Sequence, residues 1–192
     1  VHVGEGLCLD PLHRVDHKLT ERHKLTYTLQ IDKRSDPDVT SNLQFGNKSS
    51  GAQTILGQNH AASVTSTLTP TLVNEFRSAF VRRNLDFPEN DPTTSTTAIS
   101  GFFTIGGLSN FPQGRVQNTF QFQDVATWLS GKHSLKFGAD IRRLRLFNNS
   151  GFDTKGTWTF NTLQDYINSV PFQLQQAVNT ATWDGRQTSQ FY

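Results

Sequence analysis

The sequence is poor in cysteine, methionine, charge and long hydrophobic runs. Its 192 residues include no methionine and one cysteine, Cys8, so neither an internal disulfide nor a zinc site built from cysteines can form. No stretch approaches the ~18 consecutive apolar residues of a transmembrane helix. The 18 Lys and Arg against 16 Asp and Glu leave a formal net charge of +2, which is too balanced to indicate a nucleic-acid partner.

The aliphatic content is also thin for a compact soluble domain. Hydrophobic residues make up 34% of the chain, and Phe alone supplies 15 residues. Together with the missing methionine, this leads us to expect a segment of a longer protein. If that protein is exported, we expect its signal to lie upstream of Val1.

What the sequence does contain is alternation of apolar and polar residues. In residues 23–32 the odd positions are mostly apolar and the even positions are all polar. A period of two places the two sets on opposite faces of a β-strand. Similar patterns, strong or weak, predict strands over residues 13–19, 23–32, 61–68, 72–83, 118–130 and 134–142.

Short and long connections alternate between these strands. Three tight links, at 20–22, 69–71 and 130–132, alternate with three long ones, at about 34–58, 85–117 and 148–186. All short turns therefore lie at one end of the sheet and all long loops at the other. Such long loops are uncommon in compact soluble domains, but short periplasmic turns and long extracellular loops are typical of outer-membrane β-barrels.

The long loops carry short elements of their own. Residues 156–160 and 102–105 are predicted to form short strands, and residues 163–169 one or two helical turns that end before Pro171. Residues 187–192 look extended again, so we expect a seventh strand there.

Three segments resemble strand pairs of TonB-dependent outer-membrane receptors of the Oar-like type, which bear a carboxypeptidase-regulatory domain. They are PTLVNEFR at 70–77, GKHSLKFGADIRR at 131–143, and RVDHKL at 14–19 followed by HKL at 23–25. The resemblance extends over about residues 13–192. It implies a large plugged barrel, with about 22 strands as the general figure. Residues 1–192 would then be a partial barrel domain without the plug and the N-terminal segment.

The resemblance implies uptake of a bulky solute across the outer membrane of a Gram-negative bacterium. The expected partners are outer-membrane lipid and lipopolysaccharide, an unidentified solute, and a TonB-type energy-coupling protein that binds the N-terminal part outside this chain. No nucleic acid or cofactor is expected. The alternative is a surface adhesion or structural β-protein without transport, and a third possibility is an outer-membrane enzyme.

The predicted fold is all-β, an antiparallel up-and-down transmembrane β-barrel segment of about six to seven strands. In such a barrel the apolar face contacts lipid. The residues predicted to do so are Leu25, Tyr27, Leu29, Ile31, Phe76, Phe80, Leu135, Phe137 and Ile141. The competing interpretation is an ordinary antiparallel sheet with one buried face and one wet face.

The polar face of the barrel is predicted to line the lumen. Its candidate residues are Lys24, Gln30, Glu75, Arg77, Lys136, Asp140 and Arg142.

Each strand that runs toward a long loop ends in a basic pair, at 33–34, 82–83 and 142–143. The alternation places one set of cations on the lipid-facing side near the extracellular rim, namely Lys33, Arg82, Arg143 and Arg145. We hypothesise that they bind the lipid A phosphates of lipopolysaccharide, because the guanidinium fork suits phosphate. Snorkelling or ordinary solvation of the rim is the alternative.

Asp124 interrupts the apolar register near the middle of its strand. An acidic residue facing lipid is costly. Either a β-bulge turns the side chain away, or the strand is placed differently in the membrane.

No catalytic, cofactor or metal site is predicted, and we do not expect an enzyme. The six histidines lack the HExxH spacing, and His13 and His17 lie on a predicted strand. No GxSxG motif is present. Acidic clusters at 36–38 and 86–91 could hold calcium, but turn chemistry explains them as well. A glycosylation acceptor pattern at Asn47 is short enough to arise by chance.

Overall fold

The computed structural model describes residues 7–37, 51–89, 91, 93–178 and 181–188. They form one 8-stranded sheet, one 4-stranded sheet and a short helix. In chain order the elements are β1 (Leu7–Leu9), β2 (Leu12–Lys18), β3 (His23–Asp36), β4 (Gln53–Thr69), β5 (Leu72–Phe87), β6 (Thr96–Ile99), β7 (Phe103–Gly106), β8 (Gln113–Ser130), β9 (His133–Ser150), β10 (Thr157–Phe160), α1 (Leu163–Ile167), β11 (Gln173–Gln175) and β12 (Ala181–Thr188).

The large sheet is antiparallel and follows the order of the chain. Its neighbours run β1–β3–β4–β5–β8–β9–β12, and β2 also pairs with β3. Leu9 lies opposite Lys33 and Leu12 opposite Gln30, so β1 and β2 share one edge of β3. The break falls at Pro11, which lacks an amide hydrogen but accepts a hydrogen bond from the Ile31 amide at 3.1 Å. The described sheet thus has seven strand positions, in agreement with the about six to seven strands predicted from the sequence.

The predicted order of short and long links is confirmed. Residues 70–71 join β4 to β5 and residues 131–132 join β8 to β9, each as a two-residue turn. Gly131 has a φ of 60°, which glycine adopts without steric cost. The connections from β3 to β4, β5 to β8 and β9 to β12 are all long.

The strands are longer than predicted. β3, β4, β5, β8 and β9 contain 14 to 18 residues, whereas the alternation predicted about ten and correspondingly longer loops. Beyond the ~9–11 residues that cross a bilayer, neither face has to be apolar. The period of two therefore fades while the backbone pairing continues. The last strand begins at Ala181 rather than near Gln187, and residues 189–192 lie outside the described part.

The small sheet is built from two of the long loops. Its order is β11–β10–β6–β7, with β10 parallel to β6. The most buried hydrophobic residues of the described chain belong to this region, namely Ile99, Phe111 and Phe160. The predictions at 156–160, 102–105 and 163–169 are confirmed by β10, β7 and α1. α1 begins with a capping box between Thr162 and Asp165.

No helix in the described part of the chain is long and apolar enough to cross a membrane.

Candidate functional site: the two faces of the large sheet

The register places the predicted lipid-facing residues on one face. Directly opposite residues of an antiparallel sheet share a face, and Leu25, Val64 and Phe76 lie opposite one another in turn across β3, β4 and β5. Phe122 and Ile141 continue the same face across β8 and β9. All nine predicted residues follow this parity, so one sheet face, here called the apolar face, carries them all.

The apolar face is uncovered in the described chain. Neither the small sheet nor α1 packs against it. Large side chains on it stay open, with Phe122 49% and Phe137 60% exposed. A soluble antiparallel sheet would bury one face against a core, and a large exposed apolar surface indicates contact with another apolar phase. The competing interpretation of an ordinary soluble sheet therefore does not fit the described residues.

The opposite face, here called the polar face, carries all seven predicted lumen residues. For example, Thr65 on β4 pairs with Lys24 on one neighbouring strand and with Glu75 on the other. Gln123 on β8 pairs in the same way with Arg77 and Asp140. That this face lines a lumen stays a prediction.

A network of charged and amide side chains covers the polar face. Arg77 pairs with Glu75 at 2.7 Å, and Gln121 donates to Asp140 at 2.8 Å. Arg142 donates to Gln121 at 3.3 Å. These groups include both hydrogen-bond donors and hydrogen-bond acceptors.

The network borders a shallow depression of about 570 Å³. Its lining includes small side chains such as Ala61, Ser63 and Ala79 and longer ones such as Lys24 and Arg77. Small residues leave space between the longer polar ones. The depression can therefore hold a polar solute through hydrogen bonds and charge.

The basic pairs at the strand ends divide between the two faces. On the polar face Arg34 lies 3.3 Å from Asp36 and Arg83 lies 3.8 Å from Asp32. On the apolar face stand the four predicted rim cations, Lys33, Arg82, Arg143 and Arg145. None of these four forms an ion pair with a described side chain.

The structure brings three of the four rim cations together. Asn118 lies between Arg82 and Arg145 in the register, on β8, and Arg82 donates to its side chain at 3.0 Å. Arg143 lies one step along the same face of β9. Lys33 is two strands away from Arg82, on β3, so the predicted belt resolves into a cluster of three arginines and a separate lysine.

The sequence matches a family model described as outer membrane beta barrel domain over residues 11–192, almost the whole chain. The chain belongs to this outer membrane β-barrel family. The protein is therefore an outer-membrane protein, as the sequence predicted. Searches of curated proteins and of solved structures gave no match.

Aromatic contacts indicate where the outer membrane β-barrel domain meets the membrane surface. On the apolar face the ring centroids of Tyr27 and His60 are 6.3 Å apart, those of His60 and Phe80 6.0 Å, and those of Phe80 and Phe120 5.1 Å. Such a row across four strands is typical of the aromatic girdle at a barrel's interface. Trp128, which is 43% exposed, lies on β8 like Phe120, but near the short-turn end of that strand.

The spacing of these aromatic residues fits a bilayer. The eight residue-to-residue steps from Phe120 to Trp128 span about 27 Å along a strand. A strand tilt of about 40° reduces this to roughly 21 Å of height, close to the ~25 Å apolar band of outer-membrane barrels. The arginine cluster consequently lies at and just beyond the girdle on the long-loop side.

Asp124 lies midway along this band and remains on the apolar face. The register runs without a shift from Phe122 to Ala126 on both neighbouring strands, so no β-bulge turns the side chain away, which was one of the two alternatives. Instead, Asn74 donates a hydrogen bond of 2.7 Å to the Asp124 carboxylate. No local sequence pattern reveals this partner, because Asn74 is 50 residues away in the chain and meets Asp124 only through the pairing of β5 with β8.

The acidic residues Glu89 and Asp91 of the loop after β5 form contacts that stabilise the loop region. The Glu89 side chain is fully buried and pairs with Lys155, which also donates to the Asp91 carbonyl oxygen at 3.3 Å. Side-chain hydrogen bonds from Thr94 and Thr93 lower the pKa of Asp91. These contacts support the turn explanation of the 86–91 cluster.

No group of three or more His, Cys, Asp or Glu residues in the described chain could hold a metal ion. Two sequence predictions cannot be compared with the structure in full, since Asp38 and Asn47 lie outside the described residues.

Proposed function

We propose that this barrel domain is part of a TonB-dependent receptor that takes up a bulky polar solute. The observation that carries the proposal is the depression of about 570 Å³ on the polar face, bordered by paired charges and amides. The three segments that resemble such receptors add support. Two of them, at 70–77 and 131–143, begin at the tight turns before β5 and β9.

In this proposal the polar face contacts the solute and does no chemistry on it. Arg77 and Glu75 already pair with each other, so a solute that displaces one partner exchanges one hydrogen bond for another. Such exchanges are nearly balanced in free energy because each broken bond is replaced. The solute can therefore bind and leave, and the energy for net uptake comes from the TonB-type partner.

The proposal is tested with the full-length protein in detergent and the soluble periplasmic domain of TonB. We expect the two to form a complex that is lost when the N-terminal TonB-contacting segment is deleted. The matched control deletes an equally long segment of an extracellular loop and keeps the complex. A full-length protein without a plug domain and without TonB binding contradicts the proposal and favours the adhesion or structural alternative.

A further inference from the structure

Arginine and apolar side chains meet in a concavity on the apolar face of the large sheet. The concavity has a volume of about 340 Å³ and is lined by Phe120, Phe122, Ile141, Arg143 and Arg145. We call these five residues, together with the neighbouring Arg82, the arginine–aromatic site.

The arginines of this site have no acidic partner among the described side chains. Arg83, one residue from Arg82 but on the other face, does have one in Asp32. A cation placed beside apolar surface and left without a counter-ion is complementary to an anion that also carries an apolar part. The charge and the surface together point to an anionic amphiphile.

Local contacts hold two of the guanidinium groups in place. The guanidinium carbon of Arg145 lies 5.9 Å from the centroid of the Phe120 ring, within the range of a cation–π contact. Arg82 is half-buried and donates to Asn118. Ordering of this kind reduces the entropy lost when a ligand binds.

The level of the site in the membrane identifies the leaflet. Phe120 belongs to the aromatic row that marks the interface on the long-loop side, and long loops are extracellular in outer-membrane barrels. The lipid of the outer leaflet carries the phosphates of lipid A at this level and acyl chains below it. Phe122 and Ile141 lie on the bilayer side of Phe120 and Arg143 in the register, where an acyl chain would be.

We infer that the arginine–aromatic site binds lipid A of lipopolysaccharide. The guanidinium groups of Arg143 and Arg145 bind a lipid A phosphate through charge-assisted hydrogen bonds, and Arg82 adds a third cation nearby. One acyl chain occupies the concavity between Phe122 and Ile141. The site depends on the outer-membrane location of the family and is independent of the transport proposal.

The test compares two double variants of the full-length protein purified in detergent. R143Q/R145Q removes two cations from the arginine–aromatic site, and R83Q/R115Q removes two from the polar face at the same end of the sheet. Binding of purified lipid A is measured by titration, and folding by the heat-dependent mobility of barrels on gels. We expect at least a tenfold loss of affinity for R143Q/R145Q and no change for R83Q/R115Q.

Two further measurements separate the contributions of phosphate and acyl chain. Lipid A without phosphates should bind the unaltered protein at least tenfold more weakly, and inorganic phosphate alone should not compete. Phe122→Ala should weaken lipid A binding with all arginines retained, which keeps the test decisive if R143Q/R145Q does not fold. Equal affinities of the two folded double variants, equal binding of dephosphorylated lipid A, or a Phe122→Ala protein that binds like the unaltered one overturns the inference.

Discussion

At the scale of single residues, the structure explains how the apolar face accommodates the acidic residue Asp124. Asp124 lies midway along the apolar band, where a carboxylate is costly, and Asn74 satisfies one of its oxygens at 2.7 Å. A buried polar group that loses its only partner costs the full desolvation penalty, whereas removal of both partners can be nearly neutral. The pair therefore has to be considered as a unit.

We predict that Asn74→Ala destabilises the protein in lipid vesicles by about 1–3 kcal/mol. Asp124→Ala in the same background should restore most of that loss, because the unsatisfied carboxylate is then absent. Urea unfolding followed by tryptophan fluorescence measures both effects. Strictly additive effects of the two single variants would mean that the residues do not interact.

Asp91 stabilises the loop region through its ionised form. Hydrogen bonds from Thr94 and Thr93 lower its pKa, so this stabilisation is fully present above the ordinary aspartate value of ~3.9. It is lost as the pH falls through the lower pKa of the folded state.

We predict that the loop segment 93–99 loses protection from amide hydrogen exchange when the pH is lowered below about 4. Asp91→Asn should lower the protection at neutral pH and remove most of its pH dependence below that value. Asp86→Asn is the matched control, since Asp86 is exposed and should leave the profile of this segment unchanged. An identical pH profile in Asp91→Asn and the unaltered protein would contradict the stabilisation of the loop region by ionised Asp91.

At the scale of elements, the tight turn between β8 and β9 depends on Gly131. Its φ of 60° is unfavourable for a side chain with a Cβ, yet no heavy atom outside Gly131 and its two chain neighbours lies within 4 Å of the position of an added Cβ. The cost of a substitution there is consequently one of backbone conformation and not of packing.

We predict that Gly131→Val destabilises the protein by about 1–2 kcal/mol, measured by urea unfolding in vesicles. Thr71→Val at the corresponding turn between β4 and β5 should change the stability by less than about 0.5 kcal/mol, because Thr71 does not require a positive φ. Equal effects at the two turns would contradict a role of the backbone conformation at Gly131.

The faces of the strands could be predicted from the sequence, but their ends could not. The faces of the strands were predicted correctly from residues such as Phe76 and Arg77, since a period of two fixes the sides of a strand wherever one side must be apolar. The strand ends were predicted too short, because that requirement stops at the membrane surface. β6 and β11, with 4 and 3 residues, were not predicted, because they are short and lack the alternation with aromatic residues that marks the similarly short β10.

The candidate sites were predictable to different degrees. The rim arginines were found because each follows the alternation of its own strand. The Asn74–Asp124 and Glu89–Lys155 contacts were missed, since each joins residues that are distant in sequence and come together only through strand order or loop packing. Local patterns carry no information about such pairs.

At the scale of the whole molecule, the strands reach beyond the membrane. A length of 14 to 18 residues in β3, β4, β5, β8 and β9 exceeds the ~9–11 that cross a bilayer. The aromatic row at Phe120 lies seven residues into β8 from Gln113. The excess length is therefore on the long-loop side, where the small sheet adds a separate core around Ile99 and Phe160.

The two faces of the large sheet should meet different solvents, and adjacent residues of β9 can report on this. We predict that a spin label on Phe137→Cys is more accessible to oxygen than one on Lys136→Cys. The label on Lys136→Cys should in turn be more accessible to a water-soluble nickel complex. Both are measured by electron paramagnetic resonance of the protein in vesicles, in a background where Cys8 is replaced by Ser.

Equal accessibility to the nickel complex at both positions would contradict the assignment of the apolar face to lipid. The reversed pattern would require Lys136 and Arg77 to face the acyl chains, at about 2–4 kcal/mol for each basic residue near the bilayer centre. With several such residues on the polar face, the sum would be comparable to the ~5–15 kcal/mol by which folded proteins are stable. We therefore expect the polar face to line the lumen, independently of which solute or partner the barrel serves.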